Sequence, residues 1–243
     1  MTKKNLIKYQ GLSTLEVLKE AKNYNKWIAN QIETQISSPA LEIGAGTGNL
    51  TSHLIGTKPF YVTDKDLGLV NDLKKRFANE KKVIVKLLDI TKKPNKELTD
   101  FFSTVFAINV LEHIEDDEQA LKNIRKLLKK NGKLVLLVPA KKIAYTKLDK
   151  ELGHFRRYEK DELIHKLTNT GYAIELIYFF NIIGLFSWYI RDKVKRKNIN
   201  MKPYHIRIFD SIVPLLKIIE SRLKIPAGIS LIVVARKLQY GRR

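Results

Sequence analysis

The stretch richest in chemistry is Leu41-Glu42-Ile43-Gly44-Ala45-Gly46-Thr47-Gly48-Asn49. An apolar run ends there in alternating glycines. Glycine reaches positive φ and lets a ligand approach the main chain. A helix that follows such a loop turns its first amides toward an anionic group. The spacing excludes two ligand classes. A dinucleotide fingerprint needs Gly at the sixth position, where Asn49 stands, and a phosphate-cradling P-loop needs Gly-Lys-Ser/Thr, which Thr47-Gly48-Asn49 does not supply.

Carboxylates and amides recur downstream, each closing an apolar run: Asp64, Asp89-Ile90 and Asn109. An acid about 20 residues past the glycines suits two ribose hydroxyls as a bidentate acceptor. His113 and His154 are candidates for general base, since imidazole titrates near neutrality. His53 and His165 read as structural or exposed. Arg156 and Arg157, beside Tyr158, can clamp a carboxylate or phosphate, or tie their own loop to Asp149, Glu151 or Glu159. Both readings stand. With no cysteine, disulfide scaffolds, thiolate metal sites and thiol nucleophiles are excluded. No His, Asp and Glu spacing has the form of a metal site, so none is expected.

These residues need elements to hold them. Apolar recurrence at three and four predicts a helix over residues 12–36, ended by Ser37-Ser38-Pro39. Then strand and helix alternate: strands at 40–43, 60–63, 83–88, 104–109 and 133–138, helices at 49–55, 67–77 and 116–130, the last with Asn131-Gly132 as a left-handed cap. The strands are continuously apolar, the mark of a parallel sheet between helical layers. After Pro139 an irregular polar stretch is expected, then a helix at 159–169 and strands at 172–180 and 228–236. Residues 181–226 are too many for a hairpin and read as a helical insertion, kinked at Pro214. The chain is expected to be one α/β domain, 1–243, with residues 1–38 as a helical cap and 181–226 bordering an acceptor site.

Charge adds a second signal. Lys and Arg number 45 against 25 Asp and Glu, a net +20, and the 44% hydrophobic content argues against disorder. Residues 191–243 carry 14 Lys and Arg against 3 Asp and Glu. Such a surface favours anionic partners, including an anionic membrane or nucleic acid, or is simply a solvated basic face. No apolar run reaches the roughly 20 residues of a spanning helix, and the N-terminus lacks the form of a secretory signal. A soluble cytoplasmic setting is expected, with peripheral membrane contact through Trp188, Tyr189 and the basic residues after them.

The string L-E-I-G-A-G-T-G-N-L resembles the first motif of class I S-adenosylmethionine-dependent methyltransferases, and N-V-L-E-H at 109–113 resembles that family's segment after the fourth strand. Gly153-His154-Phe155-Arg156-Arg157-Tyr158, Asn23-Tyr24-Asn25-Lys26-Trp27, and Asn181, Gly184 and Trp188 resemble a bacterial sub-group. The resemblance implies a Rossmann-like, doubly wound, seven-stranded, mostly parallel sheet with one reversed strand. It implies S-adenosyl-L-methionine as cofactor, held by Tyr24, Glu42, Gly44, Ala45, Gly46, Asp64, Asp89, Ile90 and Asn109. Acceptor-binding residues would be Arg156, Arg157, Tyr158, Asn181 and Trp188. The acceptor would be a small molecule, a glycan or a lipid-linked compound. An RNA acceptor ranks second, because the Asn-Leu-Pro-Tyr type element of ribosomal RNA adenine dimethylases is replaced here by Asn109-Val110-Leu111-Glu112. A cofactor-binding protein without turnover is the third reading.

Overall fold

The computed structural model describes residues 21–56, 59–182, 184–185, 203–223 and 226–238. Helix α1 (Lys22–Ile32) leads into β1 (Ala40–Ile43), α2 (Thr51–Leu54), β2 (Phe60–Asp64), α3 (Leu67–Arg76) and β3 (Val83–Leu87). Then come β4 (Phe102–Ile108), α4 (Asp117–Leu127), β5 (Leu128–Pro139), α5 (Lys147–Glu151), α6 (Lys160–Asn169), β6 (Tyr172–Phe180), α7 (Pro203–Leu223) and β7 (Ser230–Lys237). The sheet order is β3-β2-β1-β4-β5-β7-β6. Strand β7 runs antiparallel to both neighbours, and the remaining pairs are parallel.

Alternation along each strand sorts its side chains into two apolar layers. Leu41, Ile43, Leu134, Leu136, Leu231 and Val233 join Leu121 and Ile124 of α4 and Leu163 and Leu167 of α6. Ala40, Val62, Val135, Leu137, Ile232 and Val234 join Trp27, Ile28 and Ile32 of α1, Leu73 of α3 and Val213 of α7. Burial on both faces explains why the central strands β1, β4 and β7 lack polar alternation. Strand β1 pairs with β2 on one side and β4 on the other. The chain order reverses there, which opens a crevice beyond the strands' carboxyl ends.

Three local expectations are corrected. Helix α4 stops at Leu127, not Lys130, because buried Leu128 already pairs with Phe102 across β4 and β5. Asn131 does adopt positive φ, but inside β5, where the register shifts. The stretch after Pro139 is not wholly irregular: α5 forms there, its first turn closed by a capping box between Thr146 and Asp149.

Helix α7 turns Phe209, Asp210, Val213 and Leu216 inward. Asp210 accepts from the backbone amides of Asn23 (3.0 Å) and Tyr24 (2.9 Å), satisfying the open N-terminus of α1. Pro214 lies within the helix. No helix of the described residues is long and apolar enough to cross a membrane.

Candidate active site

The loop after β1 is built by its glycines. Gly44, Gly46 and Gly48 all have positive φ. A Cβ on Gly44 would stand 2.5 Å from Cγ2 of Val110, so the β1 and β4 loops touch as closely as backbone permits. The loop is anchored from β2. Ala45 N–H donates to the Thr63 carbonyl (2.9 Å), and Gly46 N–H donates to Asp64 Oδ2 (2.9 Å). Asp64 Oδ1 accepts from Asp66 N–H at 3.0 Å. Each carboxylate oxygen keeps a further lone pair, although burial raises the carboxyl above its ordinary range. Arg76 of α3 pins the loop's far side, donating to the Thr47 carbonyl (2.6 Å) and to Asn49 Oδ1 (2.9 Å).

Glu42 lies beneath this loop, 3% exposed, and accepts from Thr51 Oγ1 at 2.7 Å. Burial lifts its carboxyl to about 7; the Thr51 bond opposes the rise and the charge of Asp64 adds to it. Asp89 closes a turn after β3 and accepts from Thr91 N–H and Oγ1. Partial burial would raise it, but these bonds hold it below the ordinary carboxylate range. Ile90 is buried in the core, its carbonyl accepting from Asn123. Asn109 is exposed after β4 at φ 53°, a conformation Asn tolerates better than most residues. The ends of β1 to β4 thus carry glycine backbone, an anchored carboxylate and, at Asn109, an exposed carboxamide. This donor set fits a nucleoside with an amino acid tail.

The loop after β5 is held by two buried carboxylates. Asp149 takes Arg157 in a two-point contact (2.8 and 3.2 Å), His154 Nδ1 (3.0 Å) and Thr146 N–H (2.8 Å). Asp117 takes Arg156 (2.8 Å), the Tyr158 hydroxyl (2.9 Å) and Lys166 (2.9 Å). Arg156 also reaches the Glu115 carbonyl at 2.6 Å. Of the two readings of Arg156 and Arg157, these bonds are the tie to the fold's own acids, Asp149 for Arg157 and Asp117 for Arg156. Both guanidinium forks are engaged within the fold, and Tyr158 is fully buried. They shape the loop that presents His154.

That loop meets the one after β4, where Phe155 N–H donates to the Glu112 carbonyl at 2.8 Å. The contact brings His113 and His154 together, ring centroids 4.7 Å apart and nearly perpendicular. Burial, with the charges of His154 and Lys65, lowers His113 to about 4, leaving it a neutral imidazole and a weak base at neutral pH. Glu112 beside them is fully buried, and neither carboxyl oxygen has a hydrogen-bond partner on another residue. Burial lifts this carboxyl to about 8. One donor atom each from Glu112, His113 and His154 lies within 4.8 Å of the others.

Tyr24 and Asn181, expected at the cofactor and the acceptor respectively, touch each other: Asn181 Nδ2 donates to the Tyr24 hydroxyl at 3.2 Å. Asn181 also accepts from Gly184 N–H, and its own N–H donates to Glu220 of α7. Both residues join α1, β6 and α7. Tyr24 and Ala45 pack against the same apolar layer. Trp188 lies outside the described residues, as do Tyr189 and the basic run after it. Sequence reasoning missed Arg76, Asp117 and Glu112 as organising groups. The Asp-Asp and Glu-His pairs at 116–117 and 112–113 were the available signals, and both look like ordinary surface charge.

Residues 41–134 match a family model described as a methyltransferase domain. A highly reducing polyketide synthase of Gibberella fujikuroi is 36% identical over 107 residues, which are 40% of this chain and 4% of that protein. The chain thus spans a small part of that relative's length. Among solved structures, Haemonchus contortus phosphoethanolamine N-methyltransferase 2 in complex with S-adenosyl-L-methionine aligns with TM-score 0.56 and 17% identity, over 84% of this chain and 49% of that one. The trans-methyltransferase CalH in complex with SAH aligns with TM-score 0.58 and 19% identity, over 90% and 59%. The architecture is the Rossmann-like methyltransferase fold.

Proposed function

We propose that this chain is an S-adenosylmethionine-dependent methyltransferase acting on a small-molecule, glycan or lipid-linked acceptor. The observation that carries the proposal is the tie between the glycine loop and Asp64, set at the sheet's switch point within the stretch matching a methyltransferase domain. In this reading Gly44, Ala45 and Gly46 line the cofactor, Asp64 accepts from its ribose hydroxyls, and Asp89 and Asn109 border the adenine and methionine ends. Glu42, when ionised, attracts the methionine ammonium. The cofactor supplies an activated methyl on a sulfonium leaving group. The protein's share is alignment and exclusion of water, and alignment can be worth about 7–11 kcal/mol. The acceptor atom lies where His113 and His154 meet, past the β4 and β5 ends.

One feature favours an acceptor at a lipid surface. Ile208, Ile212, Leu215 and Ile219 are all exposed on α7, at spacings of four, three and four. They form an outward apolar stripe beside the helix's packed face. The basic C-terminal fifth of the sequence would complement an anionic bilayer. RNA remains the second choice on charge alone.

The test is incubation of the protein with methyl-labelled cofactor and cell extract separated into lipid, RNA, protein and small-molecule fractions. Label in the lipid or small-molecule fraction supports the proposal. Label in RNA alone replaces it with the RNA reading, and cofactor binding with no label transferred replaces it with a binding protein.

A further inference from the structure

We propose that Glu112, His113 and His154 bind a divalent first-row transition cation. The three donors belong to two loops, 112–113 after β4 and 154 after β5, and stand within 4.8 Å of one another. A cation with ligand bonds of about 2.0–2.2 Å needs its donors roughly 3–3.5 Å apart, so binding would draw the three inward. Glu112 is the independent sign. It is fully buried, beside two imidazoles, and neither of its oxygens meets a hydrogen-bond partner on another residue. A buried carboxyl left without a polar partner is costly, ionised or not, and Arg157, the nearby guanidinium, is already engaged by Asp149.

His154 is oriented as metal-ligating imidazoles are. His154 Nδ1 lies 3.0 Å from the Asp149 carboxylate, which fixes Nδ1 as the protonated nitrogen and frees Nε2. His113 lies against the turn that carries His154, its Nδ1 4.0 Å from where a Cβ on Gly153 would stand. Two imidazoles and one carboxylate suit zinc, manganese, iron or cobalt better than magnesium or calcium, and three protein ligands leave coordination positions open. Chain spacing hides this set, because 41 positions separate His113 from His154.

The site's use rests on the methyltransferase reading above. An acceptor hydroxyl would occupy an open position, and the cation would favour loss of its proton to solvent. The oxygen lone pair then forms the new O–C bond while the methyl–sulfur bond breaks and its electron pair returns to sulfur. The acceptor class is therefore an oxygen nucleophile able to ligate a metal.

The test titrates chelator-treated protein with Co²⁺, followed by calorimetry and visible absorption, with Zn²⁺ and Mn²⁺ as further probes. One equivalent should bind, with d–d bands of a nitrogen and oxygen site. Glu112→Gln and His154→Ala should each weaken binding at least tenfold while still binding S-adenosylhomocysteine, which reports that they are folded. Wild-type protein without a one-equivalent transition overturns the proposal, and so does undiminished binding in both folded variants. If neither variant folds, the wild-type spectrum decides: absence of nitrogen-ligated d–d bands overturns it. Wild-type protein that takes up Co²⁺ but ignores S-adenosylhomocysteine would instead refute the methyl-donor reading and leave the metal site standing.

Discussion

Gly46 gives its backbone N–H to Asp64 Oδ2 at 2.9 Å, so the glycine turn after β1 and the acid closing β2 are one unit. The bond spans 18 positions of sequence and fixes the loop's height above the sheet. Asp64 thereby both braces the loop and remains an acceptor. Replacing Asp64 by Asn should weaken S-adenosylhomocysteine binding by about 10–100-fold, the loss of one or two charge-assisted bonds worth about 1.5–3 kcal/mol. It should also lower stability, because an amide cannot accept from both Gly46 and Asp66 N–H with both of its polar atoms. Calorimetry and thermal melts check both effects.

Gly44 faces a double restriction. Ala there would need φ near +69° and would meet Val110 Cγ2 at 2.5 Å. Gly44→Ala should abolish measurable cofactor binding. Adding Val110→Ala removes the clash but not the left-handed strain of about 1–2 kcal/mol, so the double variant should recover part of the binding. A double variant no better than Gly44→Ala would mean the Val110 contact is not the obstacle.

Asp149 holds Arg157, His154 and Thr146 together from a nearly buried position. Burial alone would raise its carboxyl, but the His154, Arg157 and Thr146 bonds together carry it well below the usual range. Its folded pKa is depressed, so its contribution is present above the unfolded value near 3.8 and disappears as pH falls through the folded one. Asp149→Asn should destabilise the protein by about 3 kcal/mol at neutral pH, as broken buried pairs do, and the gap to wild type should narrow in acid. Denaturant melts at several pH values measure it.

Glu42 has the opposite sign. Its carboxyl is raised from 4.5 to about 7 by burial, so the folded state holds its proton more tightly than the unfolded chain. Its contribution is complete below pH 4.5 and is lost as pH rises through 7, on the order of 3 kcal/mol in all. Glu42→Gln should remove that decline, seen as a stability difference from wild type that grows with pH. Cofactor affinity in wild type should rise over the same window as the carboxylate forms, and should stay flat in the variant.

The fold was legible because buried parallel strands are apolar throughout and their boundaries carry glycine, proline or acids. Strand β6 falls at 172–180 as read from Tyr172 to Phe180. Boundaries slipped where pairing outweighed helix propensity, as at Leu128. The glycine loop and Asp64 were legible because they are local motifs at strand ends. The two readings of Arg156 and Arg157 stayed open because a fork-shaped cation reads the same from sequence whether its carboxylate belongs to a ligand or to Asp117 and Asp149. The Glu112, His113 and His154 cluster was not legible, since only the crossing of the β4 and β5 loops assembles it.

The central claim is that the strand ends form a cradle for a sulfonium nucleoside, and titration calorimetry of the wild-type chain with S-adenosyl-L-methionine and S-adenosylhomocysteine tests it most directly. The account predicts saturable binding of one equivalent of each, lost in Gly44→Ala. Heat no greater than dilution for both compounds, from folded protein, would contradict it.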